Sequence, residues 1–233
     1  MTISSEIFDL TERYLVQQSK LYGQQFYLDD DFDSPVEQVG SENLEEFCQQ
    51  IKNCEKCNLS KSRTKFVFGV GNPKANLMCV GEAPGFDEDR QGEPFVGAAG
   101  QLLNRILAAI GFQREEVYIA NIVKCRPPSN RDPNPEEIAQ CLPYLKRQIA
   151  MIQPKVILAL GRVAGQTLLD TVSPLGKLRG SVHQVDDIKV VVTFHPAALL
   201  RNRQWKRGAW QDVQMLRKMY DQVVGDKPFF ETT

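Results

Sequence analysis

From residue 76 onward the chain alternates short apolar runs with stretches of helical period. The runs LMCVG (77–81), VYIANIV (117–123), KVILALG (155–161) and KVVVTF (189–194) are continuous in apolar character and read as strands buried on both faces. Between them, GQLLNRILAAIG, PEEIAQCLPYLKRQIAMI and RVAGQTLLD repeat apolar residues three and four apart, the signature of one helix face. The resulting β-α-β-α-β-α-β order predicts an α/β fold, a three-layer α/β/α sandwich around a central, mostly parallel four-stranded sheet with right-handed crossovers. A further helix at about 209 to 224 closes the domain. Pro143, inside the second helical stretch, should kink or split it.

Open parallel sheets bind ligands beyond the carboxyl ends of their strands. Those ends carry Gly81 and Glu82, then Asn121, then Gly161 and Arg162, then His195. Each is acceptable as an ordinary loop residue, but together they predict one polar site on one rim.

Residues 1 to 42 lack such periodicity apart from one helical stretch near 5 to 20, and YLDDDFDSPVEQVGSEN reads as a flexible acidic extension. The domain is expected over 43 to 225, with a tail over 226 to 233. The whole chain carries −1; residues 21 to 51 contribute −8 and residues 1 to 20 a further −1, which leaves +8 on residues 52 to 233. A basic domain behind an acidic leader suits a polyanionic partner, and equally serves solubility. No run of about 18 apolar residues exists, and the N-terminus has no basic start followed by an apolar stretch. The expectation is a cytoplasmic protein with no membrane contact.

Six cysteines, at 48, 54, 57, 79, 125 and 141, are implausible as disulfides in that compartment. Cys54-x-x-Cys57 stands outside the βαβ core, which favours metal over thioredoxin-type redox chemistry. Cys125, in the loop after a strand, and Cys141, on the following helix, complete a set of four, with prolines at 127, 128, 133 and 135 stiffening the path between them. Four thiolates suit zinc or an iron–sulfur cluster, and the second Cys-x-x-Cys of a zinc ribbon is missing. Cys79, between Met78 and Val80, reads as a buried small hydrophobe, and Cys48 is left outside the set.

The segments GEAPGFDEDRQGEPFVGAAGQLLNRIL, NIVKCRPPSNR and FHPAALLR, framed by Cys54, Cys57, Cys125 and Cys141, closely resemble the iron–sulfur uracil-DNA glycosylases of family 4. The likeness spans about residues 47 to 224, in several separated motifs in the right order. It implies a uracil-DNA glycosylase-like fold, a [4Fe-4S] cluster on those four cysteines with a structural role, and removal of uracil from single- and double-stranded DNA. It also implies a monomer working at the nucleoid and starting base excision repair. The competing readings are an electron-transfer cluster, or a DNA-binding or redox iron–sulfur protein without catalysis.

Carried over residue by residue, the resemblance gives Phe95 as the ring that stacks on an everted base, where the bare sequence allows a core residue as readily. Asn121 matches the amide that reads the uracil edge, against a cap or turn Asn. His195 matches the donor to the departing base, and His183 is expected on a surface turn or edge strand. The better-known uracil glycosylases carry an Asp where Ala83 stands, so a carboxylate must come from Glu82 or Glu88, with Glu88 preferred as base and Asp87 and Asp89 expected to be solvated. Backbone amides from Ala83 to Gly85 are expected at the attacking water. Leu199 or Leu200 is the candidate wedge, and Arg201, Arg203, Lys206 and Arg207 the phosphate contacts, the alternative being a packed helix with a solvated charged face. Lys124, Arg126 and Arg131 extend that groove, while Gly97 and Gly100 are read as allowing close helix–loop approach. No Lys is positioned by motif for lyase chemistry, which leaves a monofunctional enzyme.

Overall fold

The computed structural model describes residues 43 to 228. The acidic extension, and residues 229 to 233 of the tail, lie outside the described residues. Helix α1 (Leu44–Ile51) is started by Asn43, whose side chain accepts from the amides of Glu45 and Glu46. It leads into the cysteine segment. The sheet is then built from β1 (Val70–Gly71), β2 (Leu77–Gly81), β3 (Tyr118–Asn121), β4 (Val156–Leu160), β5 (Val182–Val185) and β6 (Ile188–Thr193), in the order β1-β3-β2-β4-β6-β5. The four strands expected from their apolar runs are all present and parallel. Two antiparallel edge strands, β1 and β5, bring the sheet to six. Neither has an apolar run: β1 is two residues long, and β5 alternates exposed and half-buried positions as an edge strand does.

Alternate residues of the central strands feed two cores. Met78, Val80, Tyr118, Ala120, Ile157, Ala159, Val190 and Val192 pack on one side, under α4 (Pro135–Ile152), α5 (Arg162–Leu168) and α6 (Leu175–Leu178). Leu77, Cys79, Ile119, Leu158 and Val191 pack on the other, under α3 (Ala98–Ala109) and α8 (Lys206–Val224). This is the three-layer sandwich, and it explains why the strands read as continuous apolar runs: each faces a core on both sides.

Helix α4 is continuous through Pro143. Both Pro143 and Ala139, whose carbonyl loses its donor, are exposed, so water takes the freed acceptor and the helix need not break. The last long helix begins at Lys206, three residues before the expected position. Among the described residues no helix is long and apolar enough to cross a membrane.

The chain leaves β2 toward β3 and leaves β4 toward β6, on the opposite side. The crevice between the carboxyl ends of β2 and β4 is therefore the topological switch point of the sheet. Short helices α2 (Phe86–Gln91) and α7 (Pro196–Arg201) hang over that end.

Asp89, expected in solvent, is buried, and its Oδ1 accepts from the amides of Thr64 (2.8 Å) and Lys65 (3.4 Å). It ties α2 to the segment that carries Cys54 and Cys57. Asp89→Ala strands those amides and should lower stability by about 1–3 kcal/mol, read as a drop in the urea midpoint, while Glu93→Ala, at an exposed position, leaves it unchanged.

Candidate functional site

A cavity of about 330 Å³ opens at the switch point, with Glu82, Phe95, Asn121, Asp132, His195 and Arg201 among its walls. The size suits a small planar ligand. Three of the four rim segments expected from strand ends line it, the exception being Gly161 and Arg162. Arg162 pairs with Asp132, and Gly161, at φ 99°, lets the end of β4 approach the His195 side chain.

The floor depends on Gly81. A Cβ there would lie 2.4 Å from Asn121 Oδ1 and 2.6 Å from Phe95 Cζ, so amide and ring converge on one spot and stand within about 5 Å of each other. Asn121 is buried at the end of β3, and its Oδ1 is the one buried side-chain N or O atom among the described residues with no hydrogen-bond partner. A buried acceptor left unpaired costs free energy, and here it borders the cavity.

Phe95 takes φ 54°, a left-handed conformation strained for a bulky residue. Three groups hold it. Arg114 donates to Phe95 O (3.1 Å) and Pro94 O (2.6 Å). Gly100 lets α3 press against the loop, since a Cβ there would meet Phe95 O at 1.9 Å. Glu88 accepts from Val96 N (3.0 Å) and Gly97 N (3.3 Å) through one oxygen and from Gly85 N (3.1 Å) through the other, joining the two loops that face the cavity. Gly85 thereby spends its amide on Glu88, so the expected free dipole at that position is absent. Ala83 and Gly85 line the cavity through their other atoms.

His195 precedes α7 and accepts from Ala197 N at Nδ1 (3.2 Å). The ring proton therefore resides on Nε2. Burial, with help from the Arg201 charge, lowers the imidazole to about 4, so it is neutral at physiological pH. Its ring lies 5.5 Å from that of Phe95, tilted by 30°. His183 is on edge strand β5, with Nε2 against Leu178 O, and takes no part in the cavity.

Glu82 is raised to about 7, first by burial and then by the Asp132 carboxylate and its hydrogen bond, with Arg162 opposing. Asp132 was missed in the sequence because nothing marks one acid in a proline-rich loop until that loop folds over the strand ends. Leu199 is 2% exposed and packs on Leu102 and Ala209, whereas Leu200 is 41% exposed, so of the two leucines only Leu200 is available as a wedge. Arg201, Arg203, Lys206 and Arg207 are exposed. Arg131 is held by both oxygens of Glu137.

Lys124 does not reach a groove. It is fully buried, and its Nζ donates to Asn121 O (2.9 Å) and Gln148 Oε1 (2.6 Å). Burial lowers it to about 8.

Cys54, Cys57, Cys125 and Cys141 line one small cavity, together with Arg63 and Tyr144. Donors point at the sulfurs: Tyr144 OH to Cys54 (3.2 Å), Arg63 Nη1 to Cys125 (3.3 Å) and Lys124 N to Cys141 (3.3 Å). Among the described residues no three metal-ligating side chains close on a single ion. The four cysteines are brought together only as walls of that cavity. Cys48 is on α1 against Phe47's cluster, and Cys79 is wholly buried in β2 with its thiol pushed up to about 12 by burial.

The fold and site define an α/β protein with a ring-and-amide pocket at the switch point of a parallel sheet, beside a four-cysteine cavity. The chain belongs to the uracil DNA glycosylase superfamily, whose family model matches residues 68–214. It is 45% identical over 186 residues to the type-4 uracil-DNA glycosylase of Archaeoglobus fulgidus, covering 76% of this chain and 94% of that protein. It is 44% identical over 177 residues to the type-4 enzyme of Thermotoga maritima (74% and 92% covered). Against the type-4 enzyme of Pyrobaculum aerophilum it is 43% identical over 181 residues (74% and 92% covered).

Proposed function

We propose that this chain is a monofunctional uracil-DNA glycosylase that takes uracil from single- or double-stranded DNA. The observation that carries the reading is the unpartnered, buried Oδ1 of Asn121 beside the Phe95 ring. Uracil offers N3–H and O4 side by side, which matches an amide that accepts with Oδ1 and donates with Nδ2. Cytosine presents an unprotonated N3 and an amino group there, so it leaves both amide groups opposed.

In the mechanism that follows, the flipped base stacks on Phe95 and is read by Asn121. The bond from C1′ to N1 lengthens, the electron pair leaves with the base, and negative charge gathers on its O2. The neutral His195 donates its Nε2–H to that oxygen. A neutral donor suits the task, since it steadies the anion without having to lose a proton. Glu82 in its ionised form stabilises the positive sugar and takes a proton of the water that attacks C1′, giving an abasic site and a uracil anion, which takes a proton from water as it leaves. Of the two glutamates Glu82 is favoured as base over Glu88, because both Glu88 oxygens are engaged by backbone amides. Glu88 is instead a positioning residue for the Phe95 loop. Leu200 fills the gap in the strand, and Arg201 and Arg203 meet phosphates.

The four-cysteine cavity suits a [4Fe-4S] cluster better than a single zinc ion: no three of the cysteines close on one ion among the described residues, and hydrogen-bond donors face the sulfurs as they do cluster thiolates. When bound it cross-links the 54–57 segment to the loop after β3 and to α4, a structural role.

Incubation with labelled uracil-containing DNA should yield abasic sites. Asn121→Ala should cut kcat/KM for uracil release by about a hundredfold or more while binding to abasic DNA survives; unchanged release would remove Asn121 from the pocket. Because Glu82 works ionised and is raised to about 7, kcat/KM should climb as pH rises from 6 to 8 and then level off. His195, neutral above about 4, adds no second break in that range. Glu82→Gln should erase the climb. The purified protein should be brown with about four irons per chain; a colourless protein holding one zinc would refute the cluster.

A further inference from the structure

The segment between β2 and Phe95 carries a run of acids, of which Asp87 and Glu93 stay exposed while Glu88 and Asp89 are turned inward. Glu88 points inward to three amides, and Asp89 is buried against Thr64 and Lys65. Asp87 is directed at Gly97, whose added Cβ would meet its Oδ2 at 2.6 Å. Beside the exposed Asp87 stands Phe86, 51% exposed, with the Arg126 guanidinium 5.1 Å and the Arg90 guanidinium 5.5 Å from its ring centre. A large aromatic left in water between two cations has no folding rationale here, since it belongs to no apolar cluster.

Its place on the molecule supplies one. Gly85 and Pro127 line the cavity, and their chain neighbours Phe86 and Arg126 meet over the rim. On another rim segment, the exposed Leu200 adjoins the cavity-lining Arg201. Two exposed apolar side chains, each beside arginine, thus stand near the mouth on two different short helices, α2 and α7. An aromatic face flanked by guanidinium groups is the arrangement that binds single-stranded nucleic acid, the ring stacking on a base and the cations meeting the phosphates on either side.

We propose that Phe86, with Arg90 and Arg126, is a stacking platform for an unpaired base that neighbours the everted one in single-stranded DNA. The inference rests on the glycosylase reading and goes beyond it, since it assigns a second base-binding position outside the pocket and a preference for substrate strand state. In a duplex the neighbouring bases are already stacked in the helix, so the platform gains less there.

The test compares wild type with Phe86→Ala, Phe86→Leu and Phe86→Trp, all at an exposed position where Tm should hold. Fluorescence anisotropy reads affinity for a single-stranded oligonucleotide bearing a stable abasic analogue, and for the same site in a duplex. Phe86→Ala is expected to weaken single-strand binding about tenfold and duplex binding far less. Phe86→Leu should show the same loss, Phe86→Trp should restore it, and inhibition by free uracil should stay constant throughout. Equal single-strand affinity in Phe86→Ala, full affinity in Phe86→Leu, or an altered uracil inhibition constant would each overturn the platform. Uracil release by the wild type is scored separately: its absence defeats the glycosylase reading, whereas its presence beside an indifferent Phe86→Ala defeats the platform alone.

Discussion

The site depends on the bare backbone of Gly81. At the end of the central strand, where almost any residue would project a Cβ, the ring of Phe95 and the amide of Asn121 occupy that space from opposite loops. The rest of the molecule serves this meeting. Parallel pairing of Gly81 with Asn121 sets the two strand ends level. Arg114, Gly100 and Glu88 then hold a strained Phe95 conformation that costs on the order of 1–3 kcal/mol and would not persist alone. Strain of this kind belongs with preorganisation, because the pocket is shaped before any base arrives.

The electrostatics follow the same plan. His195 is buried and made neutral with its donor nitrogen free, Glu82 is kept near the midpoint of its titration by burial and Asp132, and Glu88 is spent on backbone amides. Two glutamates six residues apart therefore stand in different electrostatic settings, fixed by what each one touches rather than by residue type.

The central strands and the rim were legible in the sequence because strands covered on both faces must be apolar throughout, and because ligand sites gather at strand ends. The edge strands were not: β5 is half solvated, and β1 is too short to leave a pattern. Asn121, Phe95 and His195 could be named from motifs, and the structure brings all three to one cavity. Whether an acid faces solvent, an amide or a neighbouring carboxylate is decided by tertiary contacts. That is why the burial of Asp89 and the place of Asp132 escaped the sequence pattern. Lys124 failed for the same reason: a lysine beside a DNA-reading loop suggests a phosphate contact, and only the fold discloses that it points into the core.

That lysine has a consequence for the four sulfurs. Its ammonium, sealed from water, meets only neutral oxygens, Asn121 O and Gln148 Oε1, and a buried charge without a counter-ion is expensive. Cys141, whose sulfur accepts from the backbone N–H of the same lysine, is the group whose ionisation would favour that charge. A thiolate at Cys141 would therefore steady the ammonium, and the ammonium the thiolate. A neutral thiol at Cys141 leaves that cation uncompensated, one hydrogen bond from the backbone of Asn121.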